Sequence, residues 1–106
     1  MITETIYKNR DNVNSLELRE NGSAVDISGT TRMVLTIGDV KIDSQYHSGS
    51  FDWATNGATG QLDLTLGLLQ KIINLRSATY LSSIVLYDAN YTNGLEWAEF
   101  RAKIVE

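Results

Sequence analysis

The residues able to do chemistry in this chain are few, and their spacing limits what they could do. There is one histidine, His47, set in the polar run Asp43-Ser44-Gln45-Tyr46-His47-Ser48-Gly49-Ser50. A serine–histidine–acid relay would have to use it, with an acid and an oxyanion hole brought from elsewhere. The sequence has no Gly-x-Ser-x-Gly turn to present such a serine. The plain alternative is a loop histidine on the surface. A histidine-based metal site is weaker still, because metal ligands come in clusters. The stretch from Asp88 to Glu99 partly matches a calcium loop. Oxygen-bearing side chains fall at its first, third, fifth and twelfth positions, as Asp88, Asn90, Thr92 and Glu99. The glycine that belongs at the sixth position is replaced by Asn93, with Gly94 one place late, and the flanks read as strands rather than helices. A hairpin loop rich in turn formers explains the same residues. Neither a P-loop nor a Gly-x-Gly-x-x-Gly fingerprint occurs, and no pair of carboxylates is singled out for glycoside chemistry. The sequence therefore predicts no enzyme, no cofactor and no resident metal.

Trp53 and Trp97 are the aromatic residues that stand apart. Phe51 and Trp53 share parity around Asp52. On a strand whose inward residues are Phe100 and Ile104, Trp97 would point outward with Glu99, Arg101 and Lys103. An outward tryptophan marks a protein interface more often than a sugar platform, since tryptophan is enriched in binding hot spots. Covering a sheet edge is the simpler use.

Composition narrows the classes further. The chain has 106 residues, nine Lys+Arg against thirteen Asp+Glu, and a formal net charge of −4. An acidic chain lacks the basic footprint that phosphate-backbone binding needs, so nucleic acid is not expected as a partner. Cysteine is absent, which excludes disulfides, thiolate nucleophiles and cysteine-ligated metals. Proline is absent too. Hydrophobic residues at 42% and charged residues at 21% place the chain among globular domains. The stretch from Leu66 to Leu75, broken by Gly67, Gln70, Lys71 and Asn74, is too short and polar to cross a bilayer. Met1 to Lys8 lacks the apolar core of a signal peptide, so the expectation is a protein that stays where it is made.

The elements that must position these residues follow a period of two. Leu62, Leu64 and Leu66 alternate with Gln61, Asp63 and Thr65. Ala98, Phe100, Ala102 and Ile104 alternate with Glu99, Arg101 and Lys103. Met33, Leu35 and Ile37 repeat the pattern, as do Leu16 and Leu18. This is the mark of strands with one buried face. Tyr80 to Tyr87 is apolar on both faces and reads as a central strand. Turn formers lie between the runs at Asn21-Gly22, Asn56 to Gly60 and Asn90 to Gly94. One segment breaks the period. Leu68, Leu69, Ile72, Ile73 and Leu75 fit helical spacing from Gly67 to about Leu75, which predicts a short helix capping one end. The whole predicts one all-β domain over residues 1–106, either an antiparallel sandwich of about seven strands or a barrel.

The Asn21-Gly22 turn carries an internal test. A two-residue loop sets Leu18 opposite Val25 and Leu16 opposite Ile27, which builds an apolar face. It also sets Glu17 opposite Asp26, an unfavourable like-charge pair. That conflict favours a longer loop, or a cation from another strand.

Three pieces of the sequence resemble one family. Leu18 to Leu35 looks like the N-terminal module of tailed-bacteriophage baseplate upper and tail-associated virion proteins. Its pattern there is a hairpin Asn21-Gly22, then Val25-Asp26-Ile27-Ser28-Gly29, then an alternating strand. Gly60-Gln61-Leu62-Asp63-Leu64-Thr65-Leu66 resembles the Gly-x-Leu-x-Leu strand of that family. Ser77-Ala78-Thr79-Tyr80, followed by Ile84 to Asp88, resembles its small-x-Tyr strand and the turn after it. The pieces occur in the family's order from about residue 14 onward.

The resemblance implies an immunoglobulin-like sandwich that docks to other virion proteins. It supplies no catalytic residues to carry over. In baseplate upper proteins a long helix and a receptor-facing part follow such a module, and this sequence runs only to Glu106. The function implied is a non-enzymatic tail, baseplate or neck component that assembles in the host cytoplasm. Its partners would be other virion proteins and copies of itself, as a homo-oligomer, with no membrane. Trp97, Trp53, Ile2, Ile6 and Tyr7 are the interface candidates, the last three because Met1 to Lys8 is β-prone and could pair with a neighbour's edge. The alternative is a carbohydrate-binding sandwich that uses Trp53 and Trp97, with the Asp88–Glu99 loop as its candidate calcium site.

Overall fold

Residues alternate inside and outside along the strands of this chain, and two inward faces meet to form its core. The computed structural model describes residues 1–106, and the side-chain setting of each except Ala98. Ten strands are formed: β1 (Thr3–Tyr7), β2 (Val13–Glu17), β3 (Arg19–Glu20), β4 (Ser23–Ala24), β5 (Arg32–Ile37), β6 (Val40–Asp43), β7 (Phe51–Asp52), β8 (Gln61–Thr65), β9 (Thr79–Tyr87) and β10 (Leu95–Val105). Five of them make one sheet in the order β1-β10-β9-β5-β6, and three make the other in the order β2-β8-β7. The β3–β4 hairpin stands apart as a ribbon.

This is an all-β sandwich-like fold: two sheets, with the central strand β9 flanked by β10 and β5. The two sheets use eight strands where about seven were expected. The pairing also departs from a purely antiparallel scheme. β1 runs parallel to β10, with Thr3 opposite Arg101 and Tyr7 opposite Val105. A parallel pair needs a long connection. Here the first strand meets the last, and nearly the whole chain is that connection.

The expected inward residues form one core. Met33, Leu35 and Ile37 on β5, Leu62 and Leu64 on β8, Leu66 just past it, and Phe100, Ala102 and Ile104 on β10 are all buried. Ile84 and Leu86 join them from β9, and Leu16 from β2. Each such aliphatic or aromatic side chain contributes about 1.5–3 kcal/mol by leaving water. Ala98, expected on the same face, lies outside the described side chains.

A hydroxyl fixes the corner before β9. Tyr80 Oη donates to the carbonyl of Arg76 at 2.7 Å. Antibody-type sandwiches carry a tyrosine bonded back to the chain in the same way. Two residues on, Ser82 is 2% exposed. That is where antibody-type sandwiches carry one cysteine of the disulfide between sheets. With serine there, the two layers are held without a covalent link, by side-chain packing and by bonds such as that from Asn14 Nδ2 on β2 to Thr5 O on β1.

The predicted helix is shorter than expected. α1 covers Gln70–Ile73, capped at its start by Leu69, and buries Ile72. Leu68 is not on its inner face but 59% exposed, because it lies in the turn that precedes the helix, closed by Leu69 N–H donating to Leu66 O at 3.1 Å. Among the described residues no helix is long and apolar enough to cross a membrane.

The hairpin test resolves in an unexpected way. The loop has two residues after all: Arg19 pairs with Ala24 and Glu20 with Ser23. Asn21 and Gly22 take φ values of 53° and 81°, as a type I′ turn requires. The like-charge pair still never forms, because the ribbon ends after Val25 N–H donates to Leu18 O at 3.1 Å. Glu17 pairs with Gln61 on β8 instead, and Ile27 N–H donates to Gly57 O at 2.8 Å. A longer loop was the wrong remedy. The two strands diverge before the charges meet.

On the outer face of the five-stranded sheet, Arg32 Nε donates to both Asp43 carboxylate oxygens at 3.0 and 3.1 Å. The guanidinium carbon lies 4.9 Å from the centroid of the Tyr87 ring. The bonds from Arg32 hold the Asp43 carboxyl below its ordinary range. At the chain ends, Lys8 Nζ donates to Glu106 Oε1 at 3.2 Å, and Ser77 Oγ donates to the same oxygen at 3.0 Å. These bonds, led by that from Lys8, lower the Glu106 carboxyl.

Two outcomes follow from these contacts. Tyr80→Phe should lower stability by about 1 kcal/mol in urea unfolding, the worth of one hydrogen bond. Asp43 and Glu106 both titrate lower in the folded chain than in the unfolded one. Their contribution is therefore complete above the unfolded values, near 3.8 and 4.5, and is lost as pH falls through the folded values. Thermal melting should be flat from neutral pH to about pH 5 and fall below about pH 4. Asp43→Asn should flatten that acid slope.

Candidate functional site

The feature of this surface most able to hold something is a groove at one end of the sandwich. One wall is the β3–β4 hairpin with the segment after it, and the other is the turn from Asp88 to Gly94 with the start of β10. One lobe, of about 460 Å³, lies between Asp26 to Thr30 and the Asp88–Tyr91 segment. A second, of about 350 Å³, lies between Arg19 and Glu20 on one side and Glu96 and Trp97 on the other. Leu18, Val25, Tyr91 and Leu95 line both lobes, so the groove is continuous. Its floor reaches the core at Ile27 and Leu86.

Local chemistry sets each wall. Leu18 N–H donates to Gly60 O at 2.8 Å, which seats the hairpin on the second sheet. Gly60 has φ of 81°, and a Cβ there would lie 2.7 Å from Leu18 O and 2.9 Å from Val25 O. Only glycine lets the hairpin sit so close. Asp26 Oδ1 accepts from Ser28 N–H at 2.8 Å and from Ser28 Oγ at 2.6 Å, and these bonds lower its carboxyl. Asp88 Oδ1 does the same work in the opposite wall, accepting from the N–H groups of Asn90 and Tyr91, each at 2.8 Å. One oxygen of each carboxylate is thus spent on shaping its own turn.

Trp97 reaches this groove through an irregularity. Along β10, Glu96 is opposite Val85 and Ala98 is opposite Ile84, so Trp97 is the extra residue of a β-bulge. Such a bulge re-aims one side chain. The outward Trp97 expected from strict alternation is therefore corrected: it is half-buried and packs against the core from the groove's edge. Trp53 is likewise half-buried against the core. The two tryptophans do not form the exposed flat pair that a sugar platform requires.

The N-terminal candidates separate. Ile6 is 2% exposed and belongs to the core, so it is removed from the interface set. Ile2 and Tyr7 remain exposed. The strand they lie on is not free to pair through both edges, because β1 already spends one on β10. Asn14 Nδ2 donates to Thr5 O at 2.9 Å on the remaining side. At this far end of the sandwich Val13 and Leu68 are exposed as well. His47 lies half-buried in its loop, its N–H bonded to Asp43 O at 3.0 Å. Among the described residues no group of three or more His, Cys, Asp or Glu is placed to hold a metal ion.

Four groove residues, Leu18, Val25, Tyr91 and Leu95, were not picked out by sequence reasoning. A signal was present. Leu95 and Trp97 are apolar at odd positions, while Phe100, Ala102 and Ile104 are apolar at even ones. That change of phase announces a bulge, and with it a side chain turned toward the end of the sandwich.

Compared with known proteins, the chain matches no family model and no curated protein sequence.

Gly60→Ala should unseat the hairpin wall and cost about 1–3 kcal/mol in chemical denaturation, since backbone oxygens rather than flexible side chains stand in the way. Amide hydrogen exchange should accelerate first at Leu18 and Val25.

Proposed function

We propose that this chain is a non-enzymatic assembly module of a tailed-bacteriophage particle, acting through contacts with other virion proteins and with copies of itself. Two kinds of support meet in this reading. The three sequence pieces that resemble baseplate and tail-associated modules fall on the β3–β4 hairpin with β5, on β8, and on the Tyr80 corner with β9. β5, β8 and β9 among them belong to the two sheets of the sandwich, and the hairpin forms a wall of the groove.

The observation that carries the reading is the exposure of apolar side chains, which includes both ends of the sandwich besides Met1, Ile2, Tyr46 and Leu81. Tyr91 and Leu95 are 48% and 39% exposed at the groove end, and Tyr7, Val13 and Leu68 are 43–59% exposed at the other. A module with apolar side chains in water at both ends suits a place between two neighbours. Desolvating such side chains is what drives association. The edge strands β6 and β2 add unpaired backbone groups that a partner strand can use.

The tests are of particle content and association. Mass spectrometry of purified particles of the encoding phage should find the chain in a fixed ratio to tail proteins. Light scattering should show self-association that Leu68→Lys or Val13→Lys weakens. A strictly monomeric chain absent from the particles would overturn the proposal.

A further inference from the structure

The geometry points to a specific occupant for the groove: an extended segment of a different protein chain that carries apolar side chains next to lysine or arginine. This deepens the reading of the chain as an assembly module, and rests on it, by naming the chemistry of one partner.

The floor and the rim of the groove ask for different things. The shared floor of Leu18, Val25, Tyr91 and Leu95 offers apolar surface deep enough to take side chains. Around it stand four carboxylates, Glu20 and Asp26 on the hairpin wall and Asp88 and Glu96 on the other. None of the four forms a salt bridge among the described residues. The one cation lining the groove, Arg19, is already engaged. Its Nη2 lies 2.9 Å from Glu17 Oε1 and its Nη1 donates to Gly22 O at 3.1 Å. The groove therefore presents apolar surface ringed by uncompensated negative charge.

Charge complementarity selects the occupant. Phosphates and nucleic acid are repelled. A second copy of this chain, with its net charge of −4, is a poor fit as well. A metal ion is not favoured, because Asp26 and Asp88 each spend one oxygen on their own turns. The Ser28 bonds also keep Asp26 ionised to lower pH. Two lobes joined by a shared floor suit a segment lying across the end of the sandwich, with successive side chains entering successive lobes.

The test uses the full chain, labelled with nitrogen-15, and two synthetic peptides. One repeats Lys-Leu-Gly and the other repeats Glu-Leu-Gly. The basic peptide should shift amide signals confined to residues 18–30 and 88–97, while the acidic one leaves them in place. Raising salt from about 50 mM to about 500 mM should weaken binding severalfold. The double variant Glu20→Gln, Glu96→Gln should weaken it by about tenfold with an unchanged melting temperature, since neither side chain makes a bond within the chain. Tyr91→Ser should weaken it through the floor, independently of charge. Equal shifts with both peptides, shifts scattered over every acidic patch, or no shift at about millimolar peptide would overturn the inference. A chain found in virions that fails this test keeps its place as an assembly module and loses only the groove as its docking site.

Discussion

The contact between the two inward faces bears the whole structure. No covalent link joins the sheets, and Ser82 occupies a position where antibody-type sandwiches place a cysteine. Most of what remains is dispersion and the removal of leucine, isoleucine, methionine and phenylalanine side chains from water. Such a core tolerates no slip of one residue in register. A slip would turn every inward side chain of β8 or β10 out to solvent and every charged one in. The strict alternation around Leu62, Leu64, Phe100 and Ile104 is the chain's defence against that error.

The same requirement explains how the termini behave. Thr3–Tyr7 could in principle pair with any open edge, and its own final strand is the nearest one with a matching inward residue. Ile6 drops into the core opposite Ile104, and the ladder continues at Lys8, whose N–H reaches Val105 O at 2.9 Å. The buried Lys8 ammonium then finds Glu106. One edge of β10 is covered by the chain itself, and only the outer edge of β1 is left, with Asn14 against it. A segment that looked adhesive in isolation is largely consumed by the fold.

At the opposite end, two short walls diverge where the ladders stop. The hairpin leaves its partner after Val25 because Ile27 has a better acceptor in Gly57 O. The opposite wall turns on Asp88, and β10 then begins with an extra residue. Neither wall closes over the other, so apolar side chains near the end of the core stay within reach of solvent. Two of the four rim acids, Asp26 and Asp88, stand there because turns of this kind use aspartate to bond their own backbone. Glu20 and Glu96 add to that charge without any such structural bond.

How much of this could be read in advance depends on the range over which each cause acts. Alternation is a property of the extended backbone, so β5, β8, β9 and β10 were legible from residue order; Asn21-Gly22 also signalled its type I′ turn, but the apparent clash of Glu17 with Asp26 argued for a longer loop. The short helix was legible in place but not in length, because four residues of α1 are held by burying Ile72 rather than by their own propensity. The acids of the groove were visible as residues, not as neighbours.

Where the ladders begin, end or skip a residue was decided by partners far away in sequence. The bulge that turns Trp97 toward the core is defined only against Val85 and Ile84. The burial of Ile6 depends on Ile104, and the seat of the hairpin on Gly60. By itself, then, the order of residues settled which faces must meet. The tertiary structure chose which side chains the meeting leaves uncovered, because that depends on long-range hydrogen-bond partners which no local pattern encodes.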